Sequence, residues 1–426
     1  MVNPIGKRYV IVGASAAGMA AAQTIRDNDP FGTISVLSAE ADAPYFRPMI
    51  PFIISRAKTD RQIFLQGEGP YRATGYDLHL QTRAEKIDPA GQTVMIDTGE
   101  AIPYDRLLIA TGSTPYIPPD ILGCDAEGVF ALRTIDDARR ASRRAEQTDH
   151  AVMLGGGLLN LKAAFALLER GLKVTLVVYS PEVLSQLMEP QDAHLIRAAL
   201  DNAGLEIRTG CSASKIIGNG SGVSGLVLDD GSEMACQMVC IGKGVRPNAD
   251  WAAGAPVDVD GGVVVDRFTG TSAANIYAAG DVAVTFDPIT GNRMVTGLWT
   301  NAAEMGRCAG ANMSDRPTAY GGTFGILNAT QVARMPFVSM GIVHTAGTNY
   351  ETHTRSGPDY YRKLIFSTEG DRLIGALFVG DITNAGLYRL VIKERMATND
   401  IKRHLTHHKL HYGHLLCRHS PENAGA

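Results

Sequence analysis

The sequence predicts an α/β protein built from two Rossmann-like nucleotide-binding domains, each a three-layer ββα unit, followed by a C-terminal α+β interface domain. Three observations carry that prediction. An apolar strand, Tyr9-Val10-Ile11-Val12, runs into the small residues Gly13-Ala14-Ser15-Ala16-Ala17-Gly18 and then into a helix. The arrangement returns at Ala151-Val152-Met153-Leu154-Gly155-Gly156-Gly157. From Phe324 onward the pattern changes to short strands and a late helix. The expected domains are 1–118 with 245–323, 119–244 and 324–426.

Each element has a local reason. A backbone that curls tightly beside a pyrophosphate carries little side-chain bulk, so Gly13 and Gly18 stand as the first and third glycines of a dinucleotide turn, with Ser15 as the second. Met19 to Asp27 reads as an alanine-rich helix, and Ile34 to Leu37 as the next strand. Glu40 follows, where such a turn places its acceptor for ribose hydroxyls. In Pro44-Tyr45-Phe46-Arg47-Pro48 the prolines stiffen the backbone, the aromatics offer stacking faces and Arg47 offers a fixed cation.

Residues 77 to 109 alternate like a small β-meander that closes on Ala110-Thr111-Gly112. The helix from Ile135 carries Arg139, Arg140, Arg143 and Arg144; it reads as a solvated face, with a docking patch for an acidic electron carrier as the sharper alternative. After Gly155 come a helix to Arg170-Gly171 and a strand from Lys173 to Val178. Cys236 and Cys240 read as buried structural thiols. An acid after a strand-end glycine, Gly280-Asp281, accepts hydrogen bonds from sugar-like hydroxyls. A helix is expected from Ala385 to Met396, and the tail gathers His404, His407, His408, His411, His414, Cys417 and His419, at spacings that would share a helix face. A solvated or subunit-facing tail is expected there and no metal is assigned.

Composition narrows the class. Hydrophobic residues at 45% and charged residues at 20% describe a globular chain, and a net charge of −4 supplies no basic footprint for nucleic acid. No leader pattern opens the sequence and no apolar run spans a bilayer, which predicts a cytoplasmic protein without membrane insertion. The six cysteines form no CxxC pair, as suits a reducing compartment.

The order of an N-terminal GxSxxG turn, an Ala-Thr-Gly strand end, a second glycine-rich unit and a late Gly-Asp resembles the FAD-dependent pyridine nucleotide-disulfide oxidoreductases over nearly the whole chain. The resemblance implies FAD on the first unit: Gly13, Ser15, Ala16, Ala17, Gly18 and Glu40 on the ADP half, Arg47, Pro48, Thr111 and Gly112 beside it. Gly280 and Asp281 would take the ribityl chain, and Gly297, Leu298 and Trp299 would open a helix under the flavin. It implies NAD(H) as co-substrate on Gly155, Gly157, Leu158, Leu159, Asn160, Tyr179 and Gly242, and a C-terminal domain of the kind that forms homodimers or meets another subunit.

Several positions depart from that pattern. Asn160 replaces the third glycine of the second turn, and the strand end Val178-Tyr179-Ser180 carries neither an acid for NAD nor arginines for NADP, leaving Ser180 or Glu182 as substitutes. NAD is expected because no basic cluster follows. Where relatives pair a lysine and a glutamate near the flavin, Phe52 or a neighbour and Lys162 stand here. Lys162 is therefore the expected catalytic residue, a cation that favours negative charge arriving on the flavin. No cysteine precedes Cys124, so the thiol relay of disulfide reducers is absent.

An NADH:carrier reductase remains, with the iron-sulfur centre on a partner because no cluster spacing exists in this chain. Gly155 to Lys162 and Leu184 to Gln186 are similar to the NAD-handling FAD subunits of anaerobic 2-oxoacid oxidoreductases of the phenylglyoxylate dehydrogenase type. That implies iron-sulfur and other subunits as partners. A free-standing NADH:ferredoxin or rubredoxin reductase and a non-catalytic FAD-binding assembly or redox-sensing subunit are the alternatives.

Overall fold

A computed structural model describes residues 6–65, 75–252, 254–407 and 410–416. Its first sheet is parallel, with strands Ile276–Ala278, Arg106–Ile109, Arg8–Val12, Thr33–Leu37 and Tyr76–His79 side by side in that order. All but the first residue of Arg8–Val12 are buried, as a central parallel strand covered on both faces requires. Helix Ala16–Asn28 lies against helix Trp299–Met313. Small residues make that approach close: a methyl group on Gly306 would be driven into the carbonyl of Ala17, and one on Gly310 would stand 2.6 Å from the carbonyl oxygen of Ala21.

The expected meander over 77–109 is shorter than predicted. Only Ala84–Asp88, Thr93–Ile96 and Ala101–Pro103 form an antiparallel sheet, which packs Ile87, Val94 and Ile96 into the first core. The flanking runs Tyr76–His79 and Arg106–Ile109 join the parallel sheet instead. Leu107, Leu108 and Ile109 are consecutive and fully buried, a pattern that suits a central strand rather than an alternating one.

The second sheet repeats the plan with Glu206–Thr209, Lys173–Val178, His150–Leu154, Met238–Ile241 and Val129–Phe130 in order. One face meets the antiparallel strands Ala213–Asn219, Gly222–Leu228 and Glu233–Ala235, through Val152 and Val177 against Ile216 and Leu226. The other face takes Met153 and Leu176 against helices Ile135–Arg144, Leu158–Leu168 and His194–Asn202. Each sheet is thus the middle of three layers. Tyr45, Ile50, Ile53, Ile54 and Ile63, which precede the second unit in sequence, are buried in its core, so segment 45–63 straddles the two units.

The C-terminal sheet is antiparallel, in the order Leu327–Val332, Met335–Gly341, Leu373–Val379, Tyr361–Phe366 and Glu351–Ser356. Helix Ala385–Lys393 covers it with Tyr388, Val391 and Ile392 and stops short of Met396, where Arg395 turns to a φ of 49°. The tail does not form one helix. Short helices Lys402–Thr406 and Tyr412–Leu416 are separated by a break, so the predicted helical spacing of the histidines does not arise. His404 stacks on His414 at 3.8 Å and His411 meets it in a tilted contact at 3.6 Å, and His408, Cys417 and His419 lie outside the described residues.

A buried ionic cluster joins the second unit to this sheet. Lys363 donates to Glu189 and, at 3.0 Å, to Asp192; Tyr361 donates to Asp192. The amides of Thr345 and Ala346 donate to Glu189 at 2.7 and 3.1 Å. No helix among the described residues is long and apolar enough to cross a membrane.

Candidate functional site

Two adjoining cavities, of about 910 and 200 Å³, run along the carboxyl ends of the first sheet and share Ser15, Arg47, Ala110, Gly112 and Arg133. The carboxyl ends of parallel strands are where open α/β sheets bind ligands. Gly13, Gly112 and Gly280 line this space with φ of 119°, 68° and 81°, a region that disfavours any side chain. A methyl on Gly13 would enter the carbonyl of Ala110. Helix Ala16–Asn28 starts here with Ser15 at its cap, and helix Trp299–Met313 starts here with Leu298 at its cap. Two helix N-termini and a small-residue cradle favour a ligand with phosphate and other negative groups.

Polar side chains are already ordered around the cradle. Arg47 pairs with Glu40, donates to the Ser15 hydroxyl at 3.0 Å and to the Tyr45 hydroxyl at 2.9 Å. Tyr45 in turn donates to Glu40 at 2.6 Å and accepts from the amide of Ile135 at 2.9 Å. Burial works against the Arg47 charge, but Tyr45 and Glu40 outweigh it and raise its pKa further. Asp281 accepts from Ser113 at 3.0 Å and from Arg133 at 2.8 Å. Thr111 is committed to the hinge, residues 244–248 where the chain returns from the second domain to the first, and its hydroxyl donates to the carbonyl of Asn248 at 2.8 Å. Phe46 meets Trp299 edge to face at 4.7 Å and fixes that ring beside the cavity, next to Gly297.

The second turn reaches the same cavity. Gly155 has a φ of 108°, and Leu159, on the first turn of helix Leu158–Leu168, is 38% exposed and lines the smaller cavity. Gly157 caps that helix. Asn160 points the other way: its amide donates to the carbonyls of Leu154 and Gly155 at 2.8 and 3.0 Å and packs on Gly242. The residue in the third-glycine place thus fastens the turn from within. Tyr179 is 74% exposed at the end of its strand. Lys162 lies one turn beyond Leu159, half-buried, with its ammonium pKa lowered by burial and no ion pair among the described residues. The short helix Ile50–Ile54, carrying the half-exposed Phe52, packs against this helix.

With this geometry in view, the model of the pyridine nucleotide-disulphide oxidoreductases matches residues 7–306. The chain belongs to that family. It is 29% identical over 392 residues to the NADH-dependent phenylglyoxylate dehydrogenase subunit epsilon of Aromatoleum evansii, covering 91% of this chain and 92% of that one. It is 32% identical over 285 residues to a rubredoxin-NAD(+) reductase of Ectopseudomonas oleovorans, covering 66% of this chain and 73% of the relative. Among solved structures, a NAD-dependent persulfide reductase from A. fulgidus superposes with a TM-score of 0.86 at 26% identity, over 92% of this chain and 78% of that one. The protein is an oxidoreductase whose cofactors are FAD and NAD(H). The positive-φ glycines, the two helix N-termini and the paired Arg47 and Glu40 fit the flavin nucleotide.

The five cysteines among the described residues are free thiols. None of the described cysteines lines either cavity, and burial pushes Cys236 to about 11, Cys240 to about 12 and Cys308 to about 11. Thiols held protonated and away from the flavin do not relay electrons. The arginine helix is also mostly spent internally: Arg139 binds Asp42 and Asp60, Arg140 binds Asp136 and Asp137, and Arg144 donates to the carbonyls of Gln237 and Ser221. These pairs suit the solvated-face reading, and Arg143 stays exposed on that face.

Sequence reasoning passed over Arg133, Ser113 and Asn248. Arg133 was the one with a signal, since it directly precedes the capping Thr134 of the arginine helix and so sits at a strand-to-helix crossing. Ser113 and Asn248 become site residues only through pairing of Ser113–Pro115 with Val245–Pro247 across the hinge.

Proposed function

We propose that this chain is the FAD-bearing subunit that passes electrons between iron-sulfur partner subunits and NAD⁺, within a phenylglyoxylate-type 2-oxoacid dehydrogenase complex. The observation that carries the reading is a flavin cavity walled by the nicotinamide turn through Leu159 and free of cysteine among its lining residues. The relative of that name, aligned over nearly the whole chain, supports the choice of complex. FAD, when bound, supplies hydride exchange with the nicotinamide and single-electron exchange with the partner. In this reading the residues divide the work. Arg47 and Arg133 hold phosphate, Glu40 orients a ribose, Asp281 accepts from hydroxyls, and the Leu298 helix start stabilises negative charge. Anaerobic addition of NADH should bleach the flavin absorbance, and native purification should recover iron-sulfur subunits with the chain; an unbleached flavin would mark a non-catalytic subunit.

Lys162 is the proposed catalytic residue. An ammonium with no acidic partner among the described residues, on the helix that lines the cavity, stabilises negative charge beside the flavin and closes over the nicotinamide. Lys162→Met should make the flavin potential more negative and slow NADH bleaching about tenfold, equivalent to about 1.4 kcal/mol. Because its pKa is lowered, the cation is lost at a lower pH than an ordinary lysine. The wild-type rate should therefore fall on the alkaline side and the Met variant should not follow it. An unchanged potential together with an unchanged rate would remove Lys162 from the mechanism.

A second reading, a free-standing rubredoxin reductase, is favoured by the 32% identity to a protein of that name. Gel filtration of native extract separates the two, because only the first predicts co-migration with other subunits. The C-terminal antiparallel sheet is the proposed contact for a second copy or another subunit.

A further inference from the structure

Among the described residues, the nucleotide site on the Gly155 turn holds no carboxylate that would reject a phosphate on the ribose. Sites selective for the unphosphorylated nucleotide place an acid at the end of the second strand, where it accepts from the 2′-hydroxyl and repels a 2′-phosphate. Here that strand, Lys173–Val178, ends on Val178, 4% exposed and packed against the turn; a methyl group on Gly156 would stand 3.2 Å from each of its Cγ atoms. Glu182, the nearest acid in sequence, is folded away. Its carboxylate accepts from the amide of Val183 at 2.8 Å and from Arg197 at 3.4 Å. Asp229 is taken up by the amide of Ser212 at 3.0 Å.

What the strand end offers is neutral or cationic. Ser180 and Ser185 hold their hydroxyls 3.1 Å apart, and a hydroxyl hydrogen-bonds to either a ribose hydroxyl or a phosphate. Tyr179 presents an exposed ring that stacks on an adenine regardless of the 2′ substituent. Lys243, next to Gly242 beyond the end of Met238–Ile241, two strands away in the sheet, donates to Ser212 at 2.6 Å and adds positive charge at the same end of the sheet.

Resting on the reading that the Gly155 turn binds the nicotinamide nucleotide, we infer that this chain accepts NADP(H) as well as NAD(H), with Val178 as the residue that removes the discrimination. A carboxylate facing a 2′-phosphate costs several kcal/mol, about a hundredfold or more in affinity; without one, that penalty does not arise.

The test is bleaching of the holoenzyme by NADH and NADPH side by side, with calorimetric titration of NAD⁺ and NADP⁺. Wild-type kcat/KM values and binding constants for the two nucleotides should agree within about tenfold, the effect of about 1.4 kcal/mol. A larger preference for NADH overturns the inference. Val178→Glu should raise the preference for NADH by about a hundredfold, while Glu182→Gln, which needs no repacking of the turn, should leave the ratio unchanged. A ratio that moves in Glu182→Gln would make Glu182 the discriminator and overturn the assignment. Binding of neither nucleotide would overturn the underlying reading too; tight NADH with no NADPH overturns the specificity alone.

Discussion

Gly18→Ala is expected to yield protein without flavin absorbance. Its methyl group would be driven into the carbonyl of Gly13 and would stand 3.1 Å from Ile11 Cγ2, so helix Ala16–Asn28 must swing off the strand that feeds it. Neither neighbour is a flexible side-chain end that can turn away. The helix start and the Ser15 to Gly18 wall of the cradle move together, and a misplacement of about an ångström costs on the order of a hundredfold where donors must be aimed. Flavin content read from the visible spectrum, and FAD affinity by titration of the apoprotein, measure this. Gly386→Ala, where nothing lies within 4 Å, should keep its full complement. A fully loaded Gly18→Ala protein would show that the first turn does not hold the flavin.

Lys363→Met should cost about 3–5 kcal/mol of stability, because it leaves Glu189 and Asp192 buried without their cation. Both carboxylates are almost fully buried, as is Lys363. Burial alone would raise the Glu189 pKa; the Lys363 ammonium and the amides of Thr345 and Ala346 outweigh it and hold it at about 2. A carboxylate depressed in the folded state stabilises above its unfolded value of about 4.3, and that contribution is lost as pH falls toward the folded value. Wild-type stability should therefore drop between about pH 4.3 and about pH 2. In the Met variant the Glu189 pKa rises, the carboxylate protonates readily, and the stability gap between the two proteins should shrink across the same window. A constant gap by denaturant melts would locate the cluster's contribution elsewhere.

Much of the site was legible because its chemistry is carried by short range order. A glycine that must follow a strand and open a helix leaves a local mark, so Gly13, Gly18, Gly155 and Gly280 could be placed from their neighbours alone. Glu40 followed from its distance to the first turn and Arg47 from the proline-bracketed segment after it, and the structure joins them in one ion pair. Ser113 leaves no such mark, and Arg133 leaves only its place before a capping threonine. They matter because strands far apart in sequence bring them to Asp281, across 148 and 168 positions. The meander failed for a related reason, since alternation reports one buried face and cannot tell an antiparallel edge from a strand buried on both.

By itself the sequence determined the class of protein: two dinucleotide units, a flavin site by resemblance, and no cysteine ahead of Cys124, because glycine spacing and cysteine position are properties of the chain. Only the tertiary structure decided which charges are free. It spends the arginine helix on Asp42, Asp60 and neighbouring groups, turns Asn160 inward, folds Glu182 onto Arg197, and leaves Lys162 without an acid among the described residues. A charged side chain acts only through what lies within a few ångströms of it, and those neighbours come from distant parts of the chain.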